Sequence, residues 1–128
     1  MAHSPAYDKY PEHTLTFDSA PVAVRVSIEG VVVAETKRAK TLREGKYPAT
    51  VYLPREDVKF ARLSPTDHST HCPFKGDASY FDFTDAAKSA IATEQVAWSY
   101  EDPFDQMNEI RNYLSFYADR TTIEILEA

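Results

Sequence analysis

The stretch Val22–Glu29 constrains this chain more than any other. Val22, Val24, Val26 and Ile28 fall at every second position, with Arg25, Ser27 and Glu29 in alternation. A period of two puts the aliphatic side chains on one face of an extended strand; a helix would scatter them around its axis. Glu29-Gly30 then supplies a turn, and Val31-Val32-Val33-Ala34 returns as the partner strand. The chain is thus committed early to an antiparallel hairpin with one face to bury. A lone hairpin is marginal in water and needs further strands. The composition offers them: 12% of residues are aromatic, eight of them tyrosines, and such side chains suit a pleated, half-buried surface.

The remaining strands follow from short alternating runs between turn residues. His13–Phe17 reads as a first strand and Asp18-Ser19-Ala20-Pro21 as a turn. Ala39–Arg43 extends or follows the hairpin's second strand, and Glu44-Gly45-Lys46 turns the chain again. Thr50-Val51-Tyr52-Leu53 is a short strand confined by Pro48 and Pro54, since proline cannot donate to a ladder. Val58, Phe60 and Leu63 mark another, Ser79–Phe83 and Glu94–Tyr100 two more, and Thr121–Leu126 a closing one. Residues 1–12 are polar, carry Pro5 and Pro11, and read as an irregular arm that Tyr7 and Tyr10 pin to the body; residues 13–128 read as a single β-rich domain.

One segment breaks the period. Asp102 suits an N-cap, Pro103 the first helical position and Asp105 the positive end of a helix. Phe104, Met107, Ile110, Leu114 and Tyr117 then recur at helical spacing. The reading is a C-terminal α-helix over about residues 103–118. The fold class is mainly β: small antiparallel sheets, with that one helix covering a sheet face or plugging an open end.

The chain of 128 residues fits one domain and can bury a core without staples. Its formal net charge of −6 opposes phosphate-backbone binding, so no nucleic acid is expected as a partner. The most basic run, Lys37-Arg38-Ala39-Lys40 with Arg43, reads as a solvated strand edge. A single cysteine leaves no internal disulfide and suits a reducing compartment. Met1–Pro21 has no apolar signal core, and no apolar run reaches the roughly 20 residues of a membrane span. The expectation is a soluble cytoplasmic protein with no membrane partner.

Candidate chemistry concentrates in Thr66–Tyr80. It holds His68, His71, Cys72 and Lys75, with Pro73 favouring an extended Cys72 and Gly76 free to take a positive φ. We read it as a loop running into an aromatic strand. Cys72 is a nucleophile if His71, His68 or Lys75 lowers its pKa, and otherwise a small buried side chain. His68, His71 and Cys72 with Asp67 or Asp77 contain zinc-ligand types, but not at a recognised spacing; turn-holding hydrogen bonds are the alternative, and no metal is assigned. Lys75 and Gly76 form either an anion cradle or a turn chosen for geometry. Asp57 and Asp67 are an acid–base pair only if the fold brings them together. Trp98 and Tyr100 share a strand face, as core aromatics or as a pocket wall.

The same segments resemble the bacterial family described as domain of unknown function 427, sometimes labelled nucleotidyltransferase-like. The resemblance rests on Val24-Arg25-Val26, Gly30 and Val33-Ala34; on Tyr52–Val58; on Asp67–Tyr80; and on Ala97-Trp98-Ser99-Tyr100 with Asp102-Pro103. It continues through Tyr117 and Asp119-Arg120, covering about residues 13–121. It implies a small tent-like or barrel-like β fold with a C-terminal helix, and no established activity. Phe74 stands where the family commonly has tyrosine. The nucleotidyltransferase label finds no support in the residues: no Gly-Ser turn precedes paired aspartates to hold Mg²⁺, and three glycines make no phosphate loop.

The functional expectation is a small-ligand-binding domain without a cofactor. Its pocket for a polar or anionic small molecule would lie beside the His/Cys stretch, formed by His68, His71, Lys75, Gly76, Tyr80, Trp98 and Tyr100. Two alternatives stand beside it: an enzyme using Cys72 or a histidine base such as His71 on a nucleotide-like or acyl substrate, and a protein-interaction module.

Overall fold

The computed structural model describes residues 6–9, 14–18, 20–45, 47–85 and 90–126. The strands are β1 (Leu15–Phe17), β2 (Val22–Ile28), β3 (Val31–Glu44), β4 (Thr50–Tyr52), β5 (Leu63–Cys72), β6 (Gly76–Asp85), β7 (Ala90–Ser99), β8 (Leu114–Phe116) and β9 (Thr122–Leu126). They form two antiparallel sheets. The first runs β1-β3-β2-β9 with β4 also on β3; the second runs β5-β6-β7-β8.

The expected hairpin is the centre of the first sheet. Val26 pairs with Ala34 and Ile28 with Val31 across the Glu29-Gly30 turn, where both residues take positive φ. β3 is long because its two halves serve different neighbours. Its first half pairs with β2, while its second pairs with β1 at Phe17↔Leu42 and with β4 at Lys40↔Tyr52. Strand β9 closes onto β2, as its alternation predicts.

The sheets join at one edge, where Leu53 and Leu114 exchange backbone hydrogen bonds of 2.7 and 2.9 Å. They stay open elsewhere, so the barrel-like alternative is set aside. Between them Val24, Val26, Ile28 and Val33 of the first sheet meet Phe81, Phe83, Ala97 and Phe116 of the second. A second apolar cluster, on the opposite face of the second sheet, holds Leu42, Tyr52, Ala78, Tyr80, Tyr100, Met107 and Ile110.

The C-terminal α-helix over residues 103–118 is not formed. Asp105–Ile110 makes kinked 3-10 turns, with Met107 outside helical geometry at φ −108°, ψ 16°. Phe104, Met107 and Ile110 are each three apart, the repeat of a 3-10 turn; an α-helical stripe mixes steps of three and four. Asn112 then takes φ 65°, which ends the turn, and Leu114–Phe116 leaves as an edge strand on β7. Met107, Ile110 and Leu114 are buried as expected and Phe104 and Tyr117 half-buried, by a different backbone.

Two further expectations change. The strand through Val58 and Phe60 is replaced by 3-10 turns at Arg55–Asp57 and Phe60–Arg62, with a single bridge between Val58 and Ala34. The His/Cys stretch is no loop: it is the end of β5, the turn Pro73-Phe74-Lys75 and the start of β6. In the arm, Ala6–Lys9 forms one helical turn; Tyr10 and the side chain of Tyr7, the expected pins, lie outside the described residues, as does His13.

Candidate functional site

Because the His/Cys stretch is paired backbone, its side chains alternate between two faces. The register Ser69↔Ser79, Thr70↔Ala78, His71↔Asp77 and Cys72↔Gly76 fixes which goes where. Thr70 and Cys72 share a face with Ala78 and Tyr80, and across β7 with Trp98, since Tyr80 pairs with Trp98. His68 joins them: its ring lies 4.8 Å from that of Tyr80. His71 points the other way.

The aromatic face is continuous. Tyr80 Oη and Thr70 Oγ1 are 2.7 Å apart. Trp98 packs on Tyr117 with ring centroids 4.6 Å apart and meets Tyr52 edge-on at 6.3 Å. Its indole N–H donates to Tyr52 Oη at 3.4 Å. Burial raises the pKa of Tyr52, with the charges of Glu44, Cys72 and Tyr117 adding to it and the Trp98 hydrogen bond opposing. Burial also raises Tyr100, and pushes Tyr117 up to about 12, where Tyr80 adds to the effect. These phenols are therefore neutral donors at neutral pH. Trp98 and Tyr117 line a cavity of about 340 Å³ with Val51, Phe116, Ile123 and Ile125 among its walls.

Lys75 does not present a free ammonium. Its Nζ lies 2.7 Å from Glu44 Oε1, and both side chains are largely covered. Gly76 is chosen by geometry: its φ is 115°, and an added Cβ would stand 3.2 Å from the Pro103 backbone. Tyr100 is buried in the second cluster rather than facing an opening.

On the opposite face, His71 Nδ1 is 2.8 Å from Asp77 Oδ1, and its ring meets Phe104 edge-on. Beside it runs a polar network that the sequence did not single out. Arg55 donates from Nη2 to Glu101 Oε2 at 3.2 Å and to Ser99 Oγ at 3.3 Å, and from Nε to the Asn112 carbonyl at 3.1 Å. Ser79 Oγ donates to Glu101 Oε1 at 2.9 Å. The Arg55 guanidinium also covers the rings of Phe60 and Phe81. The only advance signal was the place of Arg55 within the Tyr52–Val58 segment; its partners come from β6, β7 and the turn before β8.

The fold thus brings together His68, Tyr80 and Trp98, with Cys72 on the same side, and separates His71 from them. Four residues along a strand, His68 is about 13 Å from Cys72 by strand rise. No histidine is therefore within proton-transfer reach of the thiol along the hairpin. Asp57 is held by Thr36 and Arg38, on the first sheet's side of the molecule, apart from Asp67 on β5. Among the described residues no group of three or more His, Cys, Asp or Glu side chains is placed to hold a metal. No helix among them is long and apolar enough to cross a membrane.

The molecule is therefore a small, mainly β domain with two open antiparallel sheets and an aromatic face on the second. A family model described as a domain of unknown function (DUF427) matches residues 16–127, and the chain belongs to that family. A search of curated proteins finds no match to the chain.

Proposed function

We propose that this chain is a non-catalytic small-ligand-binding domain, and that its ligand is a planar, uncharged molecule held against Trp98 and Tyr117. The observation that carries this is the 340 Å³ cavity those two rings line. Its volume falls within the range of small-molecule sites, and its wall is apolar with a few polar groups, as such sites require. Among the described residues no Asp, Glu, Lys, Arg or His contributes to it, which favours a neutral ligand over an ionic one. Thr50 and the neutral Tyr117 phenol supply hydrogen bonds for orientation. From Trp98 the aromatic face runs on to its strand partner Tyr80 and to His68, which lie beyond the cavity's own lining.

The sequence had suggested a polar or anionic ligand on Lys75. The ion pair with Glu44 argues against that part of the reading, because the ammonium already has a partner. Catalysis by Cys72 is disfavoured on the same kind of ground: His71 faces away and is occupied by Asp77. Among described large hydrophobic side chains, Tyr47 and Ile125 are the exposed ones, and Ile125 belongs to the cavity wall, which favours a small ligand over a broad protein interface.

Trp98 is the chain's sole tryptophan, so its emission reports on the site directly. A library of planar neutral fragments screened at about 1 mM, the weak end of useful affinity, should yield saturable changes in emission. Trp98→Phe and Tyr117→Ala should weaken the same compounds in ligand-observed NMR. Native mass spectrometry of freshly purified protein gives a second arm, a co-purified neutral small molecule. No saturable ligand in the screen, or hits that bind both variants unchanged, would overturn the reading.

A further inference from the structure

The basic run Lys37–Arg43 has no part in the aromatic site, and the structure gives its first half another role. Val22 pairs with Ala39 but Val24 with Thr36, so β3 carries one extra residue there, a β-bulge. The bulge is locked from within. The buried Thr36 hydroxyl accepts the Arg38 N–H at 3.0 Å and donates to Asp57 Oδ2 at 2.6 Å. Lys37 and Arg38 are consequently both exposed, although they are neighbours on a strand.

A cavity of about 500 Å³ opens over this bulge. At its polar end stand two cations, Lys37 and Arg38, and two carboxylates, Glu35 and Asp57. Its other end is Ala23 and Leu126, which are direct partners across β2 and β9. The charges are oriented. Among the described residues Arg38 bonds Glu56 and Asp57 through Nη2 alone, at 2.8 and 3.1 Å, which leaves its Nε and Nη1 protons facing no described acceptor. Arg25 holds Glu35 from the side. The Thr36 hydrogen bond, helped by the Arg38 guanidinium, holds the Asp57 carboxyl below its usual range, so it is an anion at neutral pH.

We infer that this cavity is a binding site for a small zwitterion on an aliphatic frame, its carboxylate on Lys37 and Arg38, its ammonium on Asp57 and Glu35, and its apolar part on Leu126. A purely anionic ligand would face the Glu35 and Asp57 carboxylates, and a purely cationic one Lys37 and Arg38; a molecule carrying both charges can instead add to the exposed ion pairs Arg38–Asp57 and Arg25–Glu35 without opposing either sign. A free aliphatic amino acid and a short apolar peptide share that chemistry, and the volume admits either.

The test is amide NMR of the full chain titrated with L-leucine and, separately, with the dipeptide leucyl-leucine. N-acetyl-leucine, lacking the ammonium, and leucinamide, lacking the carboxylate, serve as blocked probes. We expect saturable shifts at Thr36, Lys37, Arg38 and Asp57 with at least one zwitterion. Blocked probes should bind at least about tenfold more weakly, a difference of about 1.4 kcal/mol. Arg38→Gln and Lys37→Gln, both at exposed positions, should each weaken binding while preserving the spectrum of the free protein. Saturation by leucine alone assigns a free amino acid, by the dipeptide alone a peptide. No saturable shift by about 10 mM, equal binding of the blocked probes, or shifts confined to other residues would overturn the inference. None of these results depends on whether the Trp98 cavity binds a ligand.

Discussion

Lys75 Nζ and Glu44 Oε1 lie 2.7 Å apart with side chains only 15% and 20% exposed, and they tie the tip of the β5–β6 hairpin to the end of β3. The pair links the His/Cys segment ionically to the first sheet, and it is shielded enough to matter. Surface pairs contribute little, but removing one partner of a covered pair strands the other charge.

Lys75→Met should therefore cost about 2–3 kcal/mol, between the loss of an ordinary partner and that of a fully buried one. Glu44→Gln combined with Lys75→Met should recover part of that loss, because the carboxylate no longer faces an apolar side chain in place of the ammonium. A double-mutant cycle in urea measures the coupling. Additive single and double losses would show that the pair does no more than a surface bridge.

Leu114→Ala should cost about 2–5 kcal/mol, the range for a leucine truncated in a core. Burial of Leu114 survives the loss of the helix whose apolar stripe first suggested it. Leu114 is fully buried, bridges to Leu53 and joins the two sheets. An unfolding loss below about 0.5 kcal/mol, typical of surface sites, would place this residue outside the core.

That case shows what the sequence made legible. Burial at Met107, Ile110 and Leu114 followed from hydrophobicity, and the paired strands β2, β3 and β9 followed from a period of two. What did not follow was the backbone of residues 103–118, since apolar steps of three fit a 3-10 turn as well as one side of a helix. The candidate site shows the same limit. His68 and His71 were visible as neighbours in sequence, but the β5–β6 register decides their faces, and that register depends on pairing with a strand beyond the turn. Glu44 and Glu101 gave no local sign, and Arg55 none beyond its place in the Tyr52–Val58 segment, because their partners are distant in the chain.

The Thr36–Asp57 hydrogen bond should be readable in acid. The folded Asp57 carboxyl titrates below its ordinary value of 3.8, first because Thr36 donates to it and then because Arg38 is near, with burial opposing. A depressed folded pKa contributes stability above the unfolded value, and the contribution is lost as the pH falls through the folded one. Thr36→Val should move the Asp57 carboxyl midpoint upward in a ¹³C NMR titration. It should also flatten the loss of stability on going below about pH 4, the unfolded value. An unchanged midpoint in the variant would mean that the hydroxyl does not set the titration.

The two histidines of the hairpin should behave differently despite being three residues apart. His68 rests on Tyr80, which pairs with Trp98, whereas His71 bonds Asp77 on the opposite face. Both are exposed, so alanine at either should cost no more than about 0.5 kcal/mol. Their readouts should separate. His68→Ala removes the ring that rests on Tyr80, the strand partner of Trp98, and should shift the emission of Trp98 and, through Tyr80, weaken a ligand held against the indole. His71→Ala should leave both unchanged, because the sheet itself stands between its imidazole and the indole. Equal effects from the two substitutions would mean that the hairpin's faces are not separated as its register requires. A change from His71→Ala alone would put the working surface on the side of Asp77, Ser79 and Arg55 instead.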